Sequence, residues 1–192
     1  METLENIYTR RSIRKYLDKP ISKEDLVEIL GAATWAPSAV NLQPWYFVAI
    51  QSKEELEKMG DVMQRVADTI LPHLKERFPT APKVVADTYE FVRGLGNAPV
   101  YVLAFEYKPV YNLKGDSVSL SIGAAIENMI LAAHDKGIGS CWLTAPIEAG
   151  LEDELRKIYA PDKGKLMSLI TLGYPVKEAV VPKRKEDRFV IL

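Results

Sequence analysis

The sequence predicts an α+β fold. Helical apolar stripes dominate its 192 residues. Four or five short aromatic and β-branched runs are scattered among them. The two patterns do not alternate regularly, which argues against a doubly wound parallel sheet.

The elements follow in order. Ser22 is an N-cap with Asp25 three residues on, and Ile21 can staple to Leu26. Leu26, Ile29, Leu30 and Ala33 continue that helix, which should stop before Pro37 because proline disfavours helical geometry at Ala36. Trp45 to Ile50 reads as a buried strand. Ser52-Lys53-Glu54-Glu55 is a capping box opening a second helix, with Leu56, Met59, Met63, Val66 and Ile70 on one face. Pro72 is expected to interrupt it. The charged stretch from Pro72 to Asn97 holds a short helix near Val84 to Val92. Ala98 to Tyr107 is a second strand, followed by a loop through Pro109 and Gly115. Ser117 to Lys136 is the clearest helix, with Ile122, Ala125, Ile126, Met129, Ile130 and Ala133 as its stripe and Gly137 placed as a C-terminal cap. A short strand Ser140 to Leu143, a helix Glu152 to Tyr159 and a strand Leu166 to Leu172 complete the pattern. The tail from Gly173 ends on the apolar Phe189 to Leu192.

Composition narrows the function. Apolar residues at 47% and charged residues at 27% describe a foldable chain of one domain. A net charge of -1 argues against a nucleic-acid partner or an anionic membrane held by bulk electrostatics, so any basic site is local. The lone Cys141 excludes an internal disulfide and a multi-cysteine metal centre, and fits a cytoplasmic setting. Neither a secretory leader nor an apolar run long enough to span a bilayer is legible.

Several constellations are missing. Gly94-Leu95-Gly96 and Gly137-Ile138-Gly139 lack the third glycine and precede strands, so neither is a dinucleotide fingerprint. His73 and His134 have no metal-ligand spacing. Nothing resembles a serine triad or a carboxylate dyad, so no catalytic acid, base or nucleophile is assigned; a bound cofactor would have to carry any chemistry.

Two segments do carry chemistry. Arg10-Arg11-Ser12-Ile13-Arg14 gathers three guanidiniums and a hydroxyl, a set suited to a phosphate dianion, although adjacent arginines near a terminus are also an ordinary solvated feature. The loop Ala36-Pro37-Ser38-Ala39-Val40-Asn41-Leu42-Gln43-Pro44-Trp45 offers a hydroxyl and two carboxamides, which match the imide edge of a flat heterocycle as well as they fit a plain turn. Together they point to a bound mononucleotide. Tyr89, Phe91, Tyr107 and Tyr111 are aromatic residues for either a substrate pocket or simple packing.

At these residues the chain resembles the nitroreductase family of FMN-dependent oxidoreductases. The resemblance rests on Arg10 to Arg14, on Pro37-Ser38 to Pro44-Trp45, on Ala145-Pro146-Ile147-Glu148, and on Leu172-Gly173-Tyr174-Pro175 with Pro182-Lys183-Arg184-Lys185. These blocks occur in the family's order. The resemblance implies one FMN-binding domain over residues 1–192, with a central mixed, mostly antiparallel sheet flanked by helices. It implies a homodimer with FMN at the subunit interface and a C-terminal tail wrapping the partner.

The same resemblance implies roles for individual residues. Arg10, Arg11, Ser12 and Arg14 would bind the FMN phosphate, and one or two of Lys183, Arg184 and Lys185 would close over it. Pro37, Ser38, Ala39 and Asn41 would reach the flavin of the neighbouring subunit, with Gln43 close by. Pro146, Ile147, Glu148 and Ala149 would lie at the ring, the Glu148 N–H facing flavin N5, and Gln64 or Arg65 would supply a further polar contact. Two positions depart from the family: Ala39 replaces a common hydroxyl, and Ala149 replaces a common glycine, with Gly150 next to it. The implied activity is hydride transfer from NAD(P)H through FMN to a small acceptor such as a nitroaromatic or quinone, in a ping-pong cycle. Reductive dehalogenation or flavin cleavage on the same scaffold, and a non-enzymatic FMN-binding module, are the alternatives.

Overall fold

The computed structural model describes residues 2–112, 115–177 and 179–192. Its sheet has four strands, β1 (Trp45–Ile50), β2 (Val100–Glu106), β3 (Gly139–Leu143) and β4 (Leu166–Gly173), in the order β1-β2-β4-β3. Every named pair is antiparallel, with Ile50 opposite Tyr101, Val100 opposite Leu172, and Gly139 opposite Gly173. The one parallel element is an isolated bridge between Ser12 and Ser140. The expected mixed sheet is therefore antiparallel except at that bridge.

Seven α-helices surround it among the described residues: α1 (Thr3–Thr9), α2 (Lys23–Ala33), α3 (Lys53–Arg77), α4 (Pro82–Gly94), α5 (Ser117–Asp135), α6 (Ala145–Glu148) and α7 (Glu152–Tyr159). The strand period of two splits β2 between two cores. Val100, Val102 and Ala104 join α2 and α5 residues such as Ile29, Ile126 and Met129. Tyr101, Leu103 and Phe105 join Met59, Met63 and Val66 of α3, Phe91 of α4 and Leu155 of α7. The sheet is thus a middle layer between two helical layers.

The caps behave as their chemistry requires. The Ser22 side chain accepts from the Asp25 N–H at 3.0 Å, and Ser52 accepts from the Glu55 N–H at 3.4 Å. Gly137 takes φ +71 just past α5, as a C-terminal cap needs. Pro72 does not end α3, which continues to Arg77. Its ring lies on the solvent face, so the carbonyl it leaves unpaired can be hydrated, while Leu74, two residues on and on the opposite face, still packs against the core. The short helix expected at 84–92 is longer, starting with Pro82 in its first turn, where a missing N–H costs nothing. Of the loop expected through Pro109 and Gly115, Leu113 and Lys114 lie outside the described residues.

The two ends of the folded body meet. Leu17 N–H donates to the Tyr174 carbonyl at 2.8 Å, and Val176 N–H donates to the Lys15 carbonyl at 3.2 Å. The arginine segment and the start of the C-terminal tail therefore leave the molecule side by side.

Candidate functional site

The arginine segment is anchored to the sheet. Ile13 N–H donates to the Ser140 carbonyl at 2.8 Å, fixing the segment against β3. Ser12 pairs with Ser140 through the parallel bridge, and Arg14, Arg10 and Ser12 each lower the pKa of the buried Cys141 thiol. Burial is the stronger influence and pushes the thiol up, so Cys141 is an inert core residue. The segment thus runs alongside the start of β3.

Each arginine has a distinct setting. Arg10 is half-buried, its Nε 3.6 Å from a Glu127 carboxylate oxygen on α5. Arg14 is exposed, its guanidinium carbon 5.7 Å from the centroid of Phe91. Arg11 folds back, Nη1 donating to the carbonyls of Tyr8 at 2.7 Å and Arg10 at 2.6 Å. It caps the last turn of α1, a use the sequence did not reveal. Its Nε is buried without a hydrogen-bond partner, so the cluster retains one unsatisfied cationic donor.

His134 sits behind the cluster. The Thr9 hydroxyl donates to the Glu5 carbonyl at 2.6 Å, which leaves its oxygen to accept from His134 Nε2 at 3.0 Å. Burial lowers the imidazole's pKa, and Arg10 and Arg11 lower it further, against a smaller opposing effect of Asp135.

The loop of residues 37–43 is tightly wound. Val40, Asn41 and Gln43 have φ of +45, +55 and +47. Left-handed backbone costs roughly 1–3 kcal/mol per non-glycine residue and persists where surroundings enforce it. Here Ser38 Oγ accepts from the Gln43 N–H at 3.0 Å, the Gln43 amide donates to Asn41 Oδ1 at 3.1 Å, and the Ala39 N–H donates to Ser121 Oγ of α5 at 3.1 Å. Pro37, Asn41 and Gln43 are exposed, while Ser38 and Ala39 are half-buried. Beside the loop, at the free edge of β1, lies a cavity of about 600 Å³ lined by Leu30, Leu42, Gln43, Trp45, Tyr107 and Tyr111. Tyr107 and Tyr111 thus share one cavity, whereas Phe91 is core and Tyr89 lines a different hollow between α3 and α4.

Pro146 is buried in α6, Ile147 and Ala149 are half-buried, and Glu148 is exposed. The Glu148 N–H donates to the Thr144 carbonyl at 3.1 Å, which also accepts from Ile147 at 2.9 Å. The expectation of a free donor at Glu148 is therefore not met within this chain, because the short helix uses that N–H to close its first turn. Ala149 has φ -84, and the left-handed position is Gly150 at φ +70, so alanine is unstrained there.

Gln64 is engaged elsewhere. Its amide donates to both Asp68 carboxylate oxygens at 3.1 and 3.0 Å and to the Tyr89 hydroxyl at 3.1 Å. Arg65 is paired with Glu154 of α7. Lys183, Arg184 and Lys185 are exposed and, among the described residues, make no hydrogen bond or ion pair.

A sequence profile of the nitroreductase family matches residues 7–174. The chain belongs to that family. Among its nitroreductase relatives, a provisionally named NADH dehydrogenase/NAD(P)H nitroreductase of Archaeoglobus fulgidus is 34% identical over 178 residues, covering 92% of this chain and 87% of the relative. An iodotyrosine deiodinase of Thermotoga neapolitana is 27% identical, covering 86% and 84%. Among solved nitroreductase-fold structures, a BluB-like flavoprotein from Clostridium difficile 630 is 30% identical with a TM-score of 0.78, covering 100% of both chains. A nitroreductase with bound FMN from Bacteroides fragilis is 26% identical with a TM-score of 0.74, covering 100% of this chain and 99% of that one. Among the described residues, no helix is long and apolar enough to cross a membrane, and no group of acidic, histidine or cysteine side chains is placed to hold a metal ion.

Proposed function

We propose that this protein is a cytoplasmic, homodimeric FMN oxidoreductase that takes hydride from NAD(P)H and delivers it to a nitroaromatic, quinone or similar small acceptor. The observation that carries the reading is the segment Arg10–Arg14 pinned along β3 by Ile13 and the Ser12–Ser140 bridge, with Arg11 Nε buried and unpartnered within it. That donor set fits a phosphate dianion. When bound, FMN supplies the two-electron chemistry that no side chain here provides. Arg10, Ser12 and Arg14 hold the phosphate. Pro146, Ile147, Glu148 and Ala149 border the ring and keep water from one side. Nicotinamide and acceptor use one slot in turn, which gives ping-pong kinetics.

The dimer reading has its own support. The loop of residues 37–43 is tied to Ser121, whereas the arginine cluster lies against Glu127 and His134. At 1.5 Å per residue along α5, Ser121 lies about 9 Å from Glu127 and about 20 Å from His134. A single bound nucleotide meets both sets most simply if Ser38, Asn41 and Gln43 come from the second subunit. The tail is apolar and bare, with Phe189 88% and Ile191 90% exposed. β1 pairs only with β2 among the described strands, and the aromatic cavity lies along its open edge. The partner's tail seated there covers both surfaces and brings Lys183 and Lys185 toward a phosphate.

Purified protein should show flavin absorbance that NADH or NADPH bleaches and a nitroaromatic or quinone restores. A colourless protein that gains no flavin absorbance on addition of FMN overturns the proposal. The deiodinase relatives favour a second reading, reductive dehalogenation. An acceptor panel containing a halogenated phenol alongside a nitroaromatic separates the two.

A further inference from the structure

Tyr16 is buried, 5% exposed, and its hydroxyl reaches two groups. It donates to the Ile13 carbonyl at 2.6 Å and lies 2.7 Å from Thr171 Oγ1 on β4. With its own hydrogen committed to Ile13, the phenol oxygen accepts from Thr171. Burial raises the phenol's pKa, so it stays a neutral donor at any ordinary pH. The Tyr16 N–H donates to the Gly96 carbonyl at 3.1 Å, which closes the other side of Arg14. The Ile13 N–H is itself held by Ser140. Ile13 is therefore fixed at both backbone groups, and Ser12 and Arg14 project from either side of that fixed point.

We infer that Tyr16, oriented by Thr171, is a positioning residue for the phosphate site: its hydroxyl sets where Ser12 and Arg14 stand without touching the ligand itself. This rests on the proposed FMN reading. Preorganised charges bind better than charges that must be arranged on binding, so removing the hydroxyl should weaken recognition of the phosphate and leave ring recognition alone. Riboflavin, which has the ring and ribityl chain but no phosphate, separates these effects.

The test is a fluorescence-quenching titration with FMN and with riboflavin. The proteins are the unsubstituted chain, Tyr16→Phe, Thr171→Val and Thr171→Ser. Tyr16→Phe should weaken FMN binding about tenfold, the loss of roughly one buried hydrogen bond, with riboflavin binding unchanged. Thr171→Val should shift FMN in the same direction, and Thr171→Ser, which keeps the hydroxyl, should restore it. Equal loss for FMN and riboflavin would mean a merely structural role and overturn the inference, as would unchanged FMN affinity in Tyr16→Phe. If Tyr16→Phe fails to fold by circular dichroism, the contrast between valine and serine at 171 decides. An unsubstituted protein that binds neither ligand defeats the FMN reading itself, a result distinct from both.

Discussion

Gly96 lies directly beneath Arg14: a side chain at Gly96 would run into the Arg14 carbonyl, and its φ is +64. The close approach lets α4 end against the arginine segment. Gly96→Ala should therefore lower unfolding free energy by roughly 1–3 kcal/mol, through left-handed strain and a backbone clash. Gly60→Ala provides the control. It lies inside α3 with nothing within 4 Å of an added Cβ, and should stabilise by about 0.5–1 kcal/mol. Denaturant melts of the two variants check the opposite signs.

Arg10 and Arg14 are both proposed to hold the phosphate, and among the described residues only Arg10 has a carboxylate partner, Glu127. Arg14→Ala should weaken FMN binding by about tenfold to a hundredfold, as expected for a lost charge-assisted contact. Riboflavin binding should stay level and the melting temperature should change little. Arg10→Ala should weaken FMN comparably and also lower the melting temperature, because it strands Glu127 on α5. Parallel titration and thermal melts distinguish them.

His134 makes stability depend on pH. Its folded pKa is lowered by burial and by Arg10 and Arg11, so the unfolded chain takes up the proton first as pH falls. Stability should therefore decline as pH drops through the ordinary imidazole value of about 6.5 and level off below the folded pKa. His134→Gln should flatten that decline between pH 7 and 5 (roughly the range in which imidazoles titrate). Saturating FMN should also reduce it, since a phosphate dianion offsets the two guanidiniums. Melting temperature against pH is the measurement.

In the proposed dimer, deleting residues 189–192 should shift the equilibrium toward monomer in analytical ultracentrifugation. Fully burying one large apolar side chain contributes roughly 1.5–3 kcal/mol. Loss of this apolar end should therefore raise the dimer dissociation constant at least about tenfold. An unchanged constant would place the tail elsewhere.

Much of the fold was legible because local chemistry agreed with the tertiary result. The stripe from Ile122 to Ala133 is buried as its spacing requires, and Trp45–Ile50 and Glu152–Tyr159 match their predicted bounds. Pro72 misled because a solvent-facing proline costs a helix one hydrogen bond, and the continuing apolar face outweighs that loss. The site was legible only as residue types. That the segment Arg10–Arg14 runs along β3 follows from a parallel bridge to Ser140, a long-range pairing with no sequence signature. Arg11 and Gln64 show the same gap: their donors find carbonyls and a carboxylate nearby, and spacing alone does not reveal such partners. Tyr16 carries no signal in the sequence, where a tyrosine next to a charged run reads as packing.

The pairing of residues 15–17 with 174–176 has a consequence for biosynthesis. Residues 15–17 emerge long before their partners at 174–176, so the segment Arg10–Arg14 is held in place only once β4 and the residues just after it have been made. On the proposed reading, a ribosome-stalled chain halted before β4 should bind no FMN.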